Sequence, residues 1–308
     1  MRIFDTRGSK LSEVSEDQFL LEDDMQKLTE TNLQQIFGLD LVRSEFELQG
    51  LRIDTLAFDK DSKGFVIIEY KKDKNISIVD QGMAYLNLML NNKADFILEY
   101  NDRSSGASTL RRTDIDWSQS RVLFVAPEFT KYQQYAIGFK NLGIQLWEIH
   151  KYANGIVTFN EVQSPAKKES ITTITKGNPV ARRVSEEIKV YTEDDHLSTV
   201  DDNIKELYMD LKSAILSLGK DIEIRPKKFY IAFRRKQGFV GLQFLKSKLK
   251  VYLNINFSDI QDPLKKARDV TKVGHHSHGN TEVTITEPGE IPYTLTLLKQ
   301  AYEKVDRI

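Results

Sequence analysis

The sequence predicts an α/β domain with the element order αβββαβ, followed by an α+β domain built on an antiparallel sheet. Three observations carry this. Between Ser15 and Ile149 a helical pattern, a run of short β-rich segments, a second helical pattern and further β-rich segments follow in that order. From about Gln163 to His196 the periodicity gives way to Ser, Thr, Lys, Pro and Gly, as in Ser164-Pro165-Ala166-Lys167-Lys168. Beyond that stretch a second set of strand and helix patterns begins. The expected division is residues 1–162, a connector at 163–196, and residues 197–308.

The first helix is expected over Ser15 to Phe37, where Leu21, Met25, Leu28, Leu33, Ile36 and Phe37 recur at helical spacing and Gly38 is a natural stop. Phe46 to Leu48, Leu51 to Asp59 and Phe65 to Lys71 read as a three-stranded meander, divided by Gly50 and the turn Asp61-Ser62-Lys63-Gly64. Asp80 offers an N-cap to a helix reaching about Asn91, and strands are expected at Asp95 to Tyr100, Arg121 to Ala126 and Ile144 to Ile149. In the second half, Val200 to Leu218 is amphipathic, and Phe229 to Arg234, Phe239 to Leu245 and Lys250 to Ile255 alternate as strands do. A helix at Pro263 to Val270, a strand at Thr281 to Thr286 and a helix at Pro292 to Val305 complete the expectation.

Composition narrows the function classes. The chain has 308 residues, 40% hydrophobic and 29% charged, and no apolar run approaches the ~18 residues a membrane span needs. Cysteine is absent, which excludes disulfides, thiolate zinc sites and cysteine nucleophiles. Met1 to Lys10 carries no basic segment leading into an apolar run, so the expected location is the cytoplasm. The net charge of −1 conceals an asymmetry: Lys220 to Lys250 holds ten Lys/Arg against two acids, whereas Glu13 to Glu30 holds seven acids against one lysine.

The chemistry concentrates in the meander. In Leu51 to Asp59 a period of two puts Arg52, Asp54, Leu56 and Phe58 on one face; in the next strand Phe65, Ile67, Glu69 and Lys71 share a face. Carboxylates set among large apolar groups are costly unless a cation or hydrogen-bond donors compensate them. A hard divalent ion, Mg²⁺ or Mn²⁺, would do so, held by Asp54 and Glu69 with the Tyr70 carbonyl as a further oxygen. Such an ion polarises a phosphoryl oxygen and acidifies bound water, while Lys71 orients the nucleophile or neutralises developing charge. The rival reading pairs Lys71 with Glu69 or Asp73 at a solvated strand end, with Asp59 and Asp73 as turn residues.

The arrangement Arg52-Ile53-Asp54, a turn, Glu69-Tyr70-Lys71, and then Gln81-Gly82-Met83-Ala84-Tyr85 on a helix resembles the PD-(D/E)xK nuclease superfamily. The likeness is to its NucS-like and RecB-like branches, and Ile53 stands where the signature has proline. The resemblance implies a restriction-endonuclease-like αβββαβ core and a metal-dependent nuclease acting on phosphodiester bonds, in DNA rather than RNA. It implies Asp54 and Glu69 as ligands, Lys71 as the catalytic lysine, Gln81 as an auxiliary and an acid from the first helix, Glu30 ahead of Glu22. Arg52, Lys72 and Tyr85 are assigned to nucleic-acid contact, and pairing of two copies is common in the superfamily. Gln81 also reads as an ordinary helix-start residue, and Glu22 and Glu30 as a solvated helix face. A nuclease fold without catalysis, serving as a nucleic-acid-binding or regulatory module, is the second functional reading.

In the second half, Lys227, Lys228, Arg234, Arg235 and Lys236 are interleaved with Phe229, Tyr230, Phe233 and Phe239. Cations beside rings suit nucleic acid. A sheet with its aromatic face inward and its lysines in water explains the same pattern. Gly274-His275-His276-Ser277-His278-Gly279 reads as a turn or as a metal or phosphate contact. This half resembles a C-terminal domain fused to nuclease-like modules in proteins loosely labelled predicted transport proteins, although no transport chemistry is visible in its residues.

Overall fold

Alternating apolar residues in the chain's central strands leave two faces to cover, and helices cover both. The computed structural model describes residues 2–72, 77–103, 109–165, 169–170, 179–277 and 279–305 of a mixed α/β protein. Asp73, residues 166–168 and 171–178 of the expected connector, and His278 lie outside the described residues. Two units are distinguishable, Met1–Val190 and Tyr191–Ile308.

The first unit begins with β1 (Ile3–Asp5), β2 (Ser12–Val14) and β3 (Glu16–Asp17), then α1 (Glu22–Thr31) and α2 (Leu33–Phe37). One helix was expected over Ser15 to Phe37. It starts later and is interrupted at Asn32, whose backbone leaves the helical region and whose side chain caps Leu28 O at 2.8 Å. Gly38, at φ +68°, closes α2 in the left-handed conformation that glycine adopts without steric cost. The meander follows as β4 (Asp40–Leu48), β5 (Leu51–Asp59) and β6 (Gly64–Tyr70). Gln49 and Gly50, at φ +51° and +78°, make the tight left-handed turn that joins β4 to β5.

After α3 (Ile78–Asn91) comes α4 (Lys93–Arg103), where a strand was expected at Asp95 to Tyr100. The apolar run fits either period when read alone. Phe96, Ile97 and Tyr100 share one helical face and are buried, which decides for helix. β7 (Arg121–Ala126), α5 (Lys131–Ala136), β8 (Phe139–Lys140), β9 (Ile144–Tyr152), β10 (Val157–Val162) and β11 (Glu169–Ser170) follow. The main sheet runs β10-β9-β7-β6-β5-β4, with β3 also paired to β9; β6, β7 and β9 are parallel and the remaining pairs antiparallel.

Leu56, Phe58, Phe65, Ile67 and Phe124 face the interior formed with α3 and α4. Ala57, Val66, Ile68, Tyr70 and Val125 face that of α1 and α2. Each large side chain so buried contributes on the order of 2 kcal/mol. Within the expected connector the chain forms α6 (Pro179–Glu187), whose Ala181 and Val184, with Ile188 beyond, join the α3-side interior. Three apolar residues at helical spacing explain why this later part of the connector is ordered and packs.

The second unit contains α7 (Glu193–Leu197), α8 (Asp202–Leu216), β12 (Glu223–Pro226), β13 (Ile231–Arg234), β14 (Gly238–Leu245), β15 (Lys248–Leu253), β16 (Ala267–Asp269), β17 (Thr281–Ile285) and α9 (Ile291–Val305). Its antiparallel sheet is ordered β12-β13-β14-β15-β17-β16. α8 and α9 cover one face through Leu207, Leu211, Leu297 and Leu298 against Ile231, Phe233, Leu242 and Val251. The helix expected at Pro263 to Val270 is instead irregular chain ending in edge strand β16, where Arg268 pairs Glu282. Among the described residues no helix is long and apolar enough to cross a membrane.

Candidate active site

β5 and β6 pair from Asp59↔Gly64 to Thr55↔Ile68, and Asp54 and Glu69 stand immediately beyond the last pair. Strand alternation sends Glu69 to the α3 side with Phe65 and Ile67, and Tyr70 to the α1 side. β7 fixes the end of β6 by pairing Tyr70↔Val125, and Lys71 N–H donates to Val125 O at 2.9 Å.

Glu69 is only 3% exposed. Its Oε1 accepts from Lys71 Nζ at 2.8 Å and from Gln81 Nε2 at 2.7 Å. Its Oε2 is buried without a hydrogen-bond partner. Gln81 Nε2 also donates to the Tyr85 hydroxyl at 3.1 Å, which donates to Arg52 O at 2.9 Å, so α3 is tied to both strands through one chain of hydrogen bonds. Burial pushes the Tyr85 hydroxyl up, which keeps it a neutral donor. Gly82 permits this approach: a Cβ there would lie 2.5 Å from Ile144 Cδ1 and 3.3 Å from Phe124 Cε2.

Asp54 Oδ2 accepts the Tyr70 N–H at 3.0 Å. Burial, reinforced by the charge of Glu69, pushes the Asp54 carboxyl up to about 6 against the opposing effects of that N–H and of Lys71. One buried and one half-buried carboxylate with a single neighbouring lysine therefore leave negative charge incompletely compensated, and one Glu69 oxygen has no hydrogen-bond partner. Oxygen donors of this kind match a hard divalent cation. Among the described residues no group of three or more His, Cys, Asp or Glu could hold a metal. A backbone oxygen and water would have to complete the set around Asp54 and Glu69.

The helix acids lie elsewhere. Glu30 Oε1 accepts from Thr55 Oγ1 at 2.6 Å and Gln26 Nε2 at 3.2 Å, on the α1 side of the sheet, because Thr55 alternates with Asp54. Glu22 Oε1 accepts the Lys72 N–H at 2.6 Å, and Lys72 Nζ is occupied by Leu20 O at 2.8 Å. Arg52 is ion-paired with Glu45, a residue at φ +53° between the pairs Ser44↔Thr55 and Phe46↔Ile53. A non-glycine residue in that region costs on the order of 1 kcal/mol, and the charge of Glu45 is felt at Asp54. Gln26 is the residue the sequence reading missed: its buried Nε2 reaches Asp54 O at 2.9 Å and Glu45 Oε1 at 3.0 Å as well as Glu30. Its position four residues from both Glu22 and Glu30 on one helical face was the available signal. Asp59 is a turn residue, accepting from the Asp61 and Ser62 N–H groups at 2.9 and 3.0 Å.

In the second unit the basic run is largely engaged with its own fold. Arg235 Nε donates to Asp221 Oδ2 at 2.6 Å, and the guanidinium lies 4.4 Å from the Tyr302 ring centre. Arg234 Nη2 donates to Lys236 O at 3.0 Å, Lys228 Nζ sits 5.1 Å from the Phe229 ring centre, and the Lys227 carbonyl meets His196 Nε2 at 2.7 Å. Ile231 and Phe233 are fully buried, whereas Phe229 is 43% exposed and stacks on His276. His275 lies parallel to the Tyr252 ring with its two nitrogens against Val273 O and Gly279 O, so His275 and His276 point to separate packing contacts rather than to a shared ligand.

Residues 193–305 match DUF5655, a domain of unknown function. Over 301 residues the chain is 42% identical to an uncharacterized protein of Haemophilus influenzae, covering 98% of this chain and 99% of that one. The chain belongs to the family of that protein. Among solved structures, a repair endonuclease from Pyrococcus abyssi aligns with 19% identity and a TM-score of 0.26 over 44% of this chain. The match spans 49%, about half, of that endonuclease chain.

Proposed function

We propose that the first unit is a Mg²⁺- or Mn²⁺-dependent phosphodiesterase acting on nucleic acid, DNA in the first instance. The observation that carries the reading is Glu69: one oxygen clamped by Lys71 and Gln81, the other buried with no protein donor. Such an oxygen is costly unless a cation completes it. Asp54 and Glu69 would hold the ion, with the Tyr70 carbonyl as a third protein oxygen. When bound, the ion supplies Lewis-acid polarisation of the phosphate and an acidified water. Lys71 keeps its ammonium beside Glu69, where it orients the nucleophile and offsets charge developing on the phosphoryl oxygens. Gln81 fixes the Glu69 rotamer, and Tyr85 fixes Gln81.

The test is incubation of purified protein with circular, linear, branched and single-stranded DNA, and with RNA, in Mn²⁺, against a Glu69→Ala control. Cleavage by the wild type alone is expected. Mn²⁺ should also raise the melting temperature of the wild type and not of the Glu69→Ala variant, since a ligand at 100 times its Kd adds about 2.7 kcal/mol. Equal inertness of both proteins, with no shift, overturns the reading. The absence of a three-residue ligand cluster among the described residues favours the second reading, a nuclease-like fold that binds without cutting; nucleic-acid binding without Mn²⁺-dependent cleavage would select it.

A further inference from the structure

Past Ala126, the residue after the partner of Tyr70, the chain leaves the sheet, buries Phe129 in the α3-side interior and turns into α5. The turn is fixed by reciprocal bonds, Gln133 N–H to Thr130 Oγ1 at 3.2 Å and Thr130 N–H to Gln133 Oε1 at 2.8 Å. Gln134 Nε2 adds a bond to Phe129 O at 3.1 Å. On this rigid turn Tyr132 is 89% exposed and Tyr135 56% exposed. Spaced three apart, they lie on one helical face. Leaving these rings exposed forgoes burial of about 2 kcal/mol for Tyr132 and about half that for Tyr135.

Their place in the chain relates them to the site. Tyr132 comes seven positions after Val125, a reach of at most about 25 Å. The α5 sequence, Lys-Tyr-Gln-Gln-Tyr-Ala, itself brings no large aliphatic side chain to stand with the rings. It offers two flat rings with Lys131 beside them. Planar faces next to a cation suit unpaired bases next to their phosphates.

We propose that Tyr132 and Tyr135 form a stacking site for unpaired nucleotides of a strand that runs to the Asp54, Glu69 and Lys71 cluster, an assignment that rests on the phosphodiesterase reading for its orientation. The shared ligand chemistry is the exposed base, in DNA or RNA. Double-stranded substrate, with its bases stacked internally, gains nothing from the two rings.

The experiment is fluorescence anisotropy with labelled oligo-dT, oligo-U and a blunt duplex of equal length, at low salt without divalent metal. It compares the full-length wild type, the double variant Tyr132→Ala/Tyr135→Ala and the double variant Tyr132→Phe/Tyr135→Phe. Both positions are exposed, so the variants should fold, as circular dichroism will confirm. Stacking energies imply a loss of roughly tenfold or more in single-strand affinity for the alanine variant. The phenylalanine variant should bind as the wild type does, and duplex affinity should not move. Tyrosine-dependent binding of either single strand supports the site. Unchanged single-strand affinity in the alanine variant, an equal loss for duplex, or no single-strand binding by the wild type overturns it. The two readings separate cleanly: wild-type cleavage with tyrosine-independent binding sinks only the stacking site, and tyrosine-dependent binding without Mn²⁺-dependent cleavage sinks only the phosphodiesterase.

Discussion

Asp54 and Glu69 face each other across the ends of adjacent strands, and burial together with the Glu69 charge holds the Asp54 carboxyl at about 6. The folded protein therefore retains a proton that the unfolded chain releases near pH 4. Stability should fall as pH rises from about 4 to about 6, with the cost complete above that window. The interval corresponds to roughly 3 kcal/mol at most, less whatever solvent reaches Asp54.

Asp54→Asn removes this cost. In EDTA, urea unfolding should show the variant more stable than the wild type by about 1–3 kcal/mol at pH 8, with the difference shrinking toward zero below pH 4. A difference independent of pH would show that the facing charges are not its source.

Much of this cluster was legible because strand geometry is periodic. Alternation alone placed Asp54 among Leu56 and Phe58, and Glu69 among Phe65 and Ile67. Glu45 was illegible because its positive φ is imposed by the surrounding strands, not announced by its residue type. Gln26 gave no apolar period to read, and only its spacing from Glu22 and Glu30 marked it. The segment Asp95 to Tyr100 fits two periods equally; packing against the sheet chose the helix. The partners of the basic run were illegible for a related reason. A charge count includes Asp221 but does not say which cation it holds, and it cannot register the Tyr302 ring, which comes to Arg235 from a distant part of the chain.

Lys71 and Tyr85 should separate by role. Lys71→Met removes the ammonium beside Glu69, and on the proposed phosphodiesterase reading kcat for DNA cleavage should drop by about 10²–10³. Tyr85→Phe leaves Arg52 O without its donor and Gln81 Nε2 without one acceptor. It should cost about 1–2 kcal/mol of stability and lower kcat far less. Steady-state cleavage and denaturant melts on both variants check this; an inversion of the two effects would exchange the assigned roles.

Arg235 is held between Asp221 and Tyr302. Arg235→Ala should destabilise the protein by about 1–2 kcal/mol, through the lost ring contact and charge-assisted bond. The salt dependence of DNA binding should keep its slope. A slope reduced by about one, with stability unchanged, would instead identify a phosphate contact.

Gly82 is where helix packing and site geometry meet. It follows Gln81, and its lack of a side chain lets α3 lie against β7 and β9, since an added methyl would meet Ile144 Cδ1 at 2.5 Å, Ile144 Cγ1 at 3.0 Å and Phe124 Cε2 at 3.3 Å. Ile144 can rotate, but its Cγ1 and the Phe124 ring confine the same space. In an exposed helix Gly→Ala would gain up to about 1 kcal/mol from propensity. Here overpacking should cost about 1–3 kcal/mol and win, so Gly82→Ala should lower the melting temperature. The strain is relieved by moving α3 outward, which stretches the 2.7 Å contact of Gln81 with Glu69 and loosens the carboxylate that Lys71 shares. Activity should then fall along with stability, and Mn²⁺ should stabilise the variant less than the wild type. Gly82→Ala with unchanged melting temperature and full cleavage would mean that Ile144 repacks freely and that the closeness of α3 to the sheet does not govern the site.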